Sequence, residues 1–165
     1  MRILVDGYNL IRRIPELALA DREDLERGRD ALVDALSQYR SGRGHKITVV
    51  FDGADSYSQG GGVEKVRGIA VIYSRHGRSA DDVIISMCRE GNADLLVTAD
   101  SDLRRKADDS GVPSAHPEFF WDRVQGEIYR MLKGALPEDE EPQHTAGRRR
   151  LKKKDRKVKN LLSRL

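Results

Sequence analysis

Three aspartates stand at positions from which their side chains would share one site in a folded sheet. Asp6, Asp52 and Asp100 each follow directly after a short apolar run that we interpret as a buried strand. In an open parallel sheet, ligands bind beyond the carboxyl ends of the strands, where the strand order reverses. Asp81, in the first turn of a helix that Ser79 is suited to cap, is expected to reach the same crevice. The sequence therefore predicts a cluster of carboxylates gathered from distant segments.

Such a cluster calls for a cation. Carboxylates held close together repel one another, and keeping them all ionised is costly unless a positive charge intervenes. Mg²⁺ or Mn²⁺ suits a site that has few protein carboxylates and is completed by a substrate phosphate. The chemistry of that site is phosphodiester hydrolysis, in which the metal activates a water and stabilises the leaving oxygen. Asp6, Asp81 and Asp100 are the candidate catalytic residues and metal ligands.

Each aspartate also has a plainer interpretation. An aspartate at a strand end commonly caps the turn that follows, and Asp81 alone would pair with the dipole of its helix. Asp82 lies about 100° further round that helix, so the two rarely bind one ion. Asp102 belongs either to the site or only to the next helix, and Asn9 either holds a ligating carboxylate or shapes its turn. The candidates for supporting roles are Asn9, Asp52, Asp82 and Asp102.

The elements that must position these side chains alternate along the chain. Strands are predicted at residues 3–5, 47–51, 69–73 and 95–98, with a weak fifth strand after Pro113. Helices are predicted over residues about 21–41, from Ser79 towards Gly91, over 103–109 and over 119–132. Residues 54–67 are rich in glycine, serine and charge and are expected to form a mobile loop. Continuously apolar strands separated by helices indicate an α/β fold, a parallel sheet with helices on both faces.

Composition narrows the function classes. The chain has 165 residues and one cysteine, Cys88, which excludes an internal disulfide framework and a multi-cysteine metal site. Cys88 is expected in the core. We find neither a membrane-spanning apolar run nor a signal peptide at the N-terminus, so we expect a cytoplasmic protein with no membrane partner.

The net charge of +3 hides an asymmetry between the body and the C-terminus. Residues 148–165 carry a net charge of +9, and the remaining residues carry −6. We expect a folded domain over residues 1–134, an acidic flexible linker over 135–147 and a basic tail over 148–165. The tail has an apolar side and would form an amphipathic helix on a docking surface. Basic tails of this kind contact nucleic acid or ribosomal RNA. The candidate RNA-binding residues at the start of this tail are Arg148, Arg149, Arg150, Lys152, Lys153 and Lys154.

Four segments together resemble a known family. They read V-D-G-Y-N-L at residues 5–10, V-F-D-G at 50–53, S-A-D-D at 79–82 and V-T-A-D-S-D-L at 97–103. This order is similar to that of the NYN domain family of PIN-like nucleases, and most similar to its YacP-like group, over roughly residues 1–134. The resemblance implies a Rossmann-like sheet of strand order 3-2-1-4-5 and a metal-dependent ribonuclease. One member type of the YacP-like branch is a ribosome-associated endoribonuclease that cuts mRNA.

The resemblance also implies roles for individual residues. Asp6 would be the central ligand with Asn9 beside it, Asp81 the acidic residue of the central helix and Asp100 the ligand after the fourth strand. Asp102 would be an auxiliary acid. Asp52 matches the F-D segment without a defined metal role, and the basic tail is not part of the family's domain pattern.

RNA contacts complete the functional hypothesis. The basic residues that flank the proposed site in sequence are Arg12, Arg13, Arg75, Arg78 and Arg104. Contacts from such residues to phosphates position a strand without reading its sequence. Tyr8 either stacks on a base or packs against the first helix. We expect a metal-dependent endoribonuclease whose partner is RNA, with the ribosome as a second candidate partner. The alternative is a non-catalytic RNA- or ribosome-binding module on the same fold.

Overall fold

The computed structural model describes residues 1–53, 62–75 and 77–134. Over these residues the strands are β1 (Arg2–Asp6), β2 (Lys46–Phe51), β3 (Val63–Val66), β4 (Ile69–Tyr73), β5 (Leu95–Val97) and β6 (Ser114–Ala115). The helices are α1 (Gly7–Arg13), α2 (Pro15–Glu23), α3 (Leu25–Arg43), α4 (Ala80–Arg89), α5 (Ser101–Asp109) and α6 (Pro117–Lys133).

The strands form one sheet in the order β3-β4-β2-β1-β5-β6. β1 lies between β2 and β5 and is parallel to both, with Val5 opposite Val49 on one side and Val97 on the other. β4 and β6 extend the parallel sheet, and β3 is antiparallel at its edge. The predicted strands occur in the predicted order. The strand order therefore reverses between β1 and β5, and the chain leaves both strands at that point.

Helices cover both faces of the sheet, as predicted. Alternate residues of β1 point in opposite directions, so Ile3 and Val5 pack in a core with α1, α2, α3 and α6. Leu4 packs on the other face in a smaller core with α4 and α5. Cys88 of α4 is buried in that second core, where it acts as a small apolar residue.

The predicted loop over residues 54–67 is wrong at its end. Residues 63–66 form β3, which pairs with β4 through a two-residue turn. Arg67 has φ 49° and Gly68 has φ 85°, as the type I′ turn of a tight hairpin requires. Because an arginine replaces the usual asparagine or aspartate at the first central position, the turn was not visible in the sequence. Residues 54–61 lie outside the described residues.

The segment between β1 and β2 holds three helices where the sequence analysis predicted one. Pro15 stands in the first turn of α2 and separates it from α1, since proline is accepted at a helix start and not inside one. α3 begins at Leu25, later than predicted, because the Asp24 side chain caps it by accepting from the Glu26 amide at 2.8 Å. It ends at Gly44, whose φ of 65° is the left-handed conformation of a helix terminus.

The predicted acidic linker and basic tail both lie outside the described residues. The ends of the other predicted helices and strands shift by a few residues at most. Within the described residues, no helix is both long and apolar enough to cross a membrane.

Candidate active site

The junction of β1 and α1 fixes the Asp6 carboxylate. Asp6 is the N-cap of α1, and its Oδ1 accepts from the Asn9 amide at 3.4 Å. Its Oδ2 accepts from the Thr98 hydroxyl at 2.9 Å. Gly7 lies against the Phe51 ring, and a Cβ at that position would collide with the ring. The glycine therefore lets the chain turn into α1 close to the sheet, with Asp6 held at the strand end.

The junction of β5 and α5 lies beside it and is tied to it by two hydrogen bonds. The fully buried Thr98 donates to Asp6 while its Oγ1 accepts from the Asp100 amide at 3.1 Å. Asn9 Oδ1 accepts from the Ala99 amide at 2.8 Å. Asp100 caps α5 with one oxygen, Oδ1, which accepts from the Asp102 and Leu103 amides. The second oxygen of Asp100 makes neither of these bonds, so it remains for a ligand.

α4 brings the third carboxylate from the other side of the sheet. Ser79 and Asp82 form a capping box, in which each side chain accepts from the other residue's amide at 3.1 Å. The box occupies Asp82 and leaves Asp81, one position earlier, to face a different direction on the helix.

The Asp6 carboxylate interacts through charge with those of Asp81 and Asp100. Burial is the main cause that raises the pKa of Asp6 from 3.8 to about 6, and the charges of Asp81 and Asp100 add to it. The hydrogen bonds from Thr98 and Asn9 act in the opposite direction and do not compensate. At neutral pH this carboxylate is held ionised at a cost to the fold.

The pKa of Asp81 is also raised by burial and by its neighbours in the cluster. Burial raises its pKa first, followed by the charge of Asp100, and Asp52 contributes as well. The ammonium group of Lys106 on α5 lowers it and is the nearby cation that offsets part of the repulsion. Asp82, the neighbour of Asp81 in the chain, raises the pKa of Asp81 as well. The fold thus brings five of the sequence-predicted carboxylates into one electrostatic neighbourhood: Asp6, Asp52, Asp81, Asp82 and Asp100.

The cluster is not a preformed cage. In the part of the chain that the structure describes, no three His, Cys, Asp or Glu side chains are grouped closely enough to hold a metal ion. The donors nevertheless suit a hard cation, because they are carboxylate oxygens and the pKa values of two of them are raised, first by burial and then by the neighbouring carboxylates. Mg²⁺ commonly uses only one or two protein carboxylates and fills its remaining positions with water and substrate phosphate. The residues therefore fit an ion that binds together with a phosphate.

Asp52 lies at the rim of this neighbourhood. Its Oδ1 accepts from the hydroxyl of the buried Ser74 at 2.8 Å, and the same hydroxyl accepts from the Gly53 amide at 2.9 Å. This arrangement holds the loop after β2 against the loop after β4. Asp52 adds negative charge to the site. Its hydrogen bond with Ser74 is enough to explain its position as a structural one.

Asp102 does not join the cluster. Its side chain is 70% exposed and forms an ion pair with Arg105 of the same helix at 3.0 Å. Asp82, engaged in the capping box, also lies at the surface. Nothing in the contacts of either residue places it on a ligand shared with Asp6.

The predicted RNA-binding arginines occupy different places. Arg12 lies over the Tyr8 ring, with 5.5 Å between its guanidinium carbon and the ring centroid, and Arg13 is exposed at the end of α1. Arg75 is exposed after β4. Arg104 donates to the Ser114 hydroxyl at 3.1 Å and so is engaged with β6. The predicted basic residues at 148–154 lie outside the described residues.

Arg78 borders a groove between α4 and α5 that Asp81 also lines. This groove has a volume of about 320 Å³, and Arg89 and Lys106 line it as well. Its three cations favour the approach of an anion to Asp81. Glu90 and Asp82 share the groove, so its field is mixed.

Sequence reasoning missed three residues that organise the site. Thr98 was visible only as a letter of the V-T-A-D motif, and its position two residues before Asp100 is the signal that was available. Ser74 follows a strand without any distinguishing pattern. Arg29 is one of several arginines on a highly charged helix, and its guanidinium reaches the Tyr8 ring only through the tertiary fold. Tyr8 itself packs edge-on against Phe51, with ring centroids 5.1 Å apart.

Comparison with known proteins agrees with the fold. The uncharacterized protein YacP of Bacillus subtilis (strain 168) is 32% identical over 93 residues, which are 54% of this chain and 52% of that protein. The chain thus spans about half the length of this curated relative.

Two crystal structures of Rae1 (YacP) from Bacillus subtilis, one of them a mutant, superpose with TM-scores of 0.67 and 0.66 at 23% identity. They cover 80% and 82% of this chain, which matches 79% of each of theirs, and this likeness shows that the chain has the same fold. The model of the YacP-like NYN domain family matches residues 3–163. The match includes the predicted linker and most of the predicted tail, so the expectation that the basic tail lies outside the family's pattern is wrong. The chain therefore belongs to the YacP-like NYN domain family.

Proposed function

We propose that this chain is an endoribonuclease that hydrolyses RNA phosphodiester bonds with Mg²⁺ or Mn²⁺ bound by Asp6, Asp81 and Asp100. The family and the nuclease-type fold support an activity on RNA in general. The observation that carries the proposal is the Asp6 carboxylate, whose pKa burial and two neighbouring carboxylates raise to about 6. A half-buried carboxylate that repels its neighbours destabilises the fold, and a bound cation would offset that repulsion.

The chain's own residues position the reacting groups. Thr98 and Asn9 hold the two loops together, so Asp6 and Asp100 keep a fixed separation when substrate enters. Asp81 approaches from α4, and Lys106 beside it would attract the phosphate of the scissile bond. The cation, when bound, would polarise that phosphate and lower the pKa of an attacking water. Asp6 would stay ionised once the cation offsets the repulsion from the other carboxylates, so its role would be that of a ligand and not of a proton carrier.

Cleavage of an end-labelled single-stranded RNA tests the proposal. We expect cutting by the full chain with Mg²⁺ or Mn²⁺ and none with EDTA. Asp6→Asn and Asp100→Asn should each lower the rate by about 100-fold or more, because loss even of a residue that orients a metal ligand costs 10–100-fold. Asparagine keeps the helix caps, so the fold survives. Asp109→Asn, at the far exposed end of α5, is the matched control and should cut normally.

The alternative is a non-catalytic RNA- or ribosome-binding module, which the lack of a preformed three-ligand group among the described residues favours. RNA that is bound by the purified full chain but remains uncut under both metals would establish this alternative and overturn the nuclease. Cutting that persists in both Asp6→Asn and Asp100→Asn would instead move the activity to another site.

The setting and the partners belong to the same proposal. We place the protein in the cytoplasm, where its single buried cysteine stays reduced. The ten basic residues of the 148–165 segment would add affinity for RNA or the ribosome by releasing counterions from phosphates.

A further inference from the structure

A cluster of three aromatic rings and one guanidinium lies at the same edge of the sheet as Asp6 and has no part in the proposed hydrolysis. The Arg29 guanidinium carbon lies 5.4 Å from the centroid of the Tyr8 ring, 5.9 Å from that of Phe51 and 5.6 Å from that of Tyr73. The first ring follows β1, and the other two end β2 and β4. The guanidinium is therefore held at the carboxyl edge of the sheet, the edge that carries Asp6 and Asp52.

The Tyr8 phenol fixes the orientation of this guanidinium. Nε of Arg29 donates to the Tyr8 hydroxyl oxygen at 2.8 Å, and Nη2 donates to the same atom. Arg29 also shares a hydrogen bond with the Tyr73 side chain. A guanidinium has five N–H donors in a rigid fork, so these bonds still leave donors for a ligand. Ring faces on several sides restrict the side chain further, and less rotamer freedom is left to lose when a ligand binds.

Arg29 is half-buried, yet it forms no ion pair with a carboxylate among residues 1–53, 62–75 and 77–134. Neighbouring Arg27, two positions earlier on the same helix, is exposed and paired with Glu23 at 3.1 Å. Burial lowers the pKa of Arg29, but the hydrogen bonds and charge interactions with Tyr8 and Tyr73 outweigh this effect and raise the pKa. The guanidinium is therefore held charged at the sheet edge without a carboxylate partner among these residues, as a cation that receives an anionic ligand must be.

We propose that Arg29 binds a backbone phosphate of single-stranded RNA at the sheet edge that carries Asp6. This inference rests on the proposed function for the identity of the ligand. The fork of a guanidinium matches two phosphate oxygens, and the partly exposed Tyr8 and Tyr73 rings give an unpaired base a surface on which to stack. The carboxylates repel the strand, and Arg29 supplies the charge that holds it in register.

Binding of a short fluorescein-labelled single-stranded RNA of mixed sequence, followed by anisotropy in EDTA across a salt series, tests this role. The chain without substitution is compared with Arg29→Gln, Arg29→Lys and the matched control Arg27→Gln. Arg29→Gln should raise Kd about tenfold and lower the salt slope by about one. Arg29→Lys keeps the charge without the fork and should lie between the two. Arg27→Gln should bind like the unsubstituted chain.

The result that overturns the inference is an Arg29→Gln protein whose affinity and slope match those of Arg27→Gln. Thermal unfolding checks that the variants fold, and should Arg29→Gln fail to fold, Arg29→Lys and Tyr8→Phe decide the question. Tyr8→Phe keeps the ring, frees the guanidinium, and should weaken binding without lowering the slope. Because cleavage is not needed for this readout, a chain that binds through Arg29 but never cuts RNA refutes the proposed hydrolysis alone, and a chain that cuts but ignores Arg29 refutes this inference alone.

Discussion

Replacing Asp6 by asparagine should change how the stability of the metal-free protein depends on pH. The free energy of unfolding of Asp6→Asn, relative to that of the unsubstituted chain, should be higher at neutral pH than at acidic pH. The native state raises the pKa of Asp6 from 3.8 to about 6, mainly through burial. Between these values the unfolded chain releases the Asp6 proton while the native protein keeps it. Native stability therefore falls as the pH rises from 3.8 towards 6, and the whole penalty is present above 6. Asparagine has no such proton, so its stability lacks this fall.

The difference between 3.8 and about 6 corresponds to about 3 kcal/mol at about 1.36 kcal/mol per pKa unit. Since Asp6 is only partly buried, we expect about 1–3 kcal/mol. Asparagine offers a single oxygen, so one of the bonds from Thr98 and Asn9 is lost, at a cost of about 1 kcal/mol that is the same at every pH. The pH-dependent part of the comparison is the informative one.

Urea unfolding followed by circular dichroism measures this quantity. Both proteins are unfolded in EDTA at constant ionic strength from about pH 4 to about pH 7.5. The stability of Asp6→Asn minus that of the unsubstituted chain should rise with pH and level off above about pH 6.5. Asp109→Asn, an exposed carboxylate at the far end of α5, is the control and should give a nearly flat difference.

A stability difference that stays constant across this pH range would refute the reasoning, since the pKa of Asp6 would then be the same in the native and unfolded states. A difference that falls with pH would refute it more strongly, because Asp6 would be stabilised by a charge partner. Adding Mg²⁺ at neutral pH should restore stability to the unsubstituted chain and not to Asp6→Asn.

Three further outcomes follow from the same contacts. Ser79→Ala removes the capping box of α4 and should cost about 1 kcal/mol of unfolding free energy, with a lower cleavage rate because Asp81 is less well placed. Gly53→Ala should cost about 1–3 kcal/mol in urea unfolding, because a Cβ there would collide with the Ser74 carbonyl oxygen. Removing residues 148–165 should flatten the salt dependence of RNA binding in an anisotropy titration, and equal slopes would remove the tail from the account.

The parts of the fold that local pattern determines were predictable. Continuous apolar runs such as residues 47–51 identify strands buried on both sides, and they correspond to β2 and its neighbours. An aspartate directly after such a run is placed by the strand itself, so Asp6 and Asp100 could be expected at one edge of the sheet. Ser79 predicted the start of α4 correctly, because a side-chain cap is a contact between residues close in sequence.

The remaining features depend on contacts between distant residues. Arg29 becomes informative only where α3 crosses the ends of β2 and β4, and no spacing in the sequence marks it. Thr98 matters because its hydroxyl meets Asp6, 92 positions away. β3 was missed because a short exposed strand next to a glycine-rich segment has the composition of a loop. Asp102 shares the motif of Asp100 but turns towards Arg105, which sequence alone does not distinguish.

The central claim is that Asp6, Asp81 and Asp100 share one divalent cation, and Mn²⁺ binding detected by electron paramagnetic resonance tests it most directly. Asp81→Asn is the informative variant, because Asp81 lies outside the capping box that holds α4. Titrating the full chain should show Mn²⁺ binding that Asp81→Asn weakens at least about tenfold and Asp109→Asn leaves unchanged. Mn²⁺ affinity that is equal in all three proteins, or that is absent from the unsubstituted chain, would contradict the account.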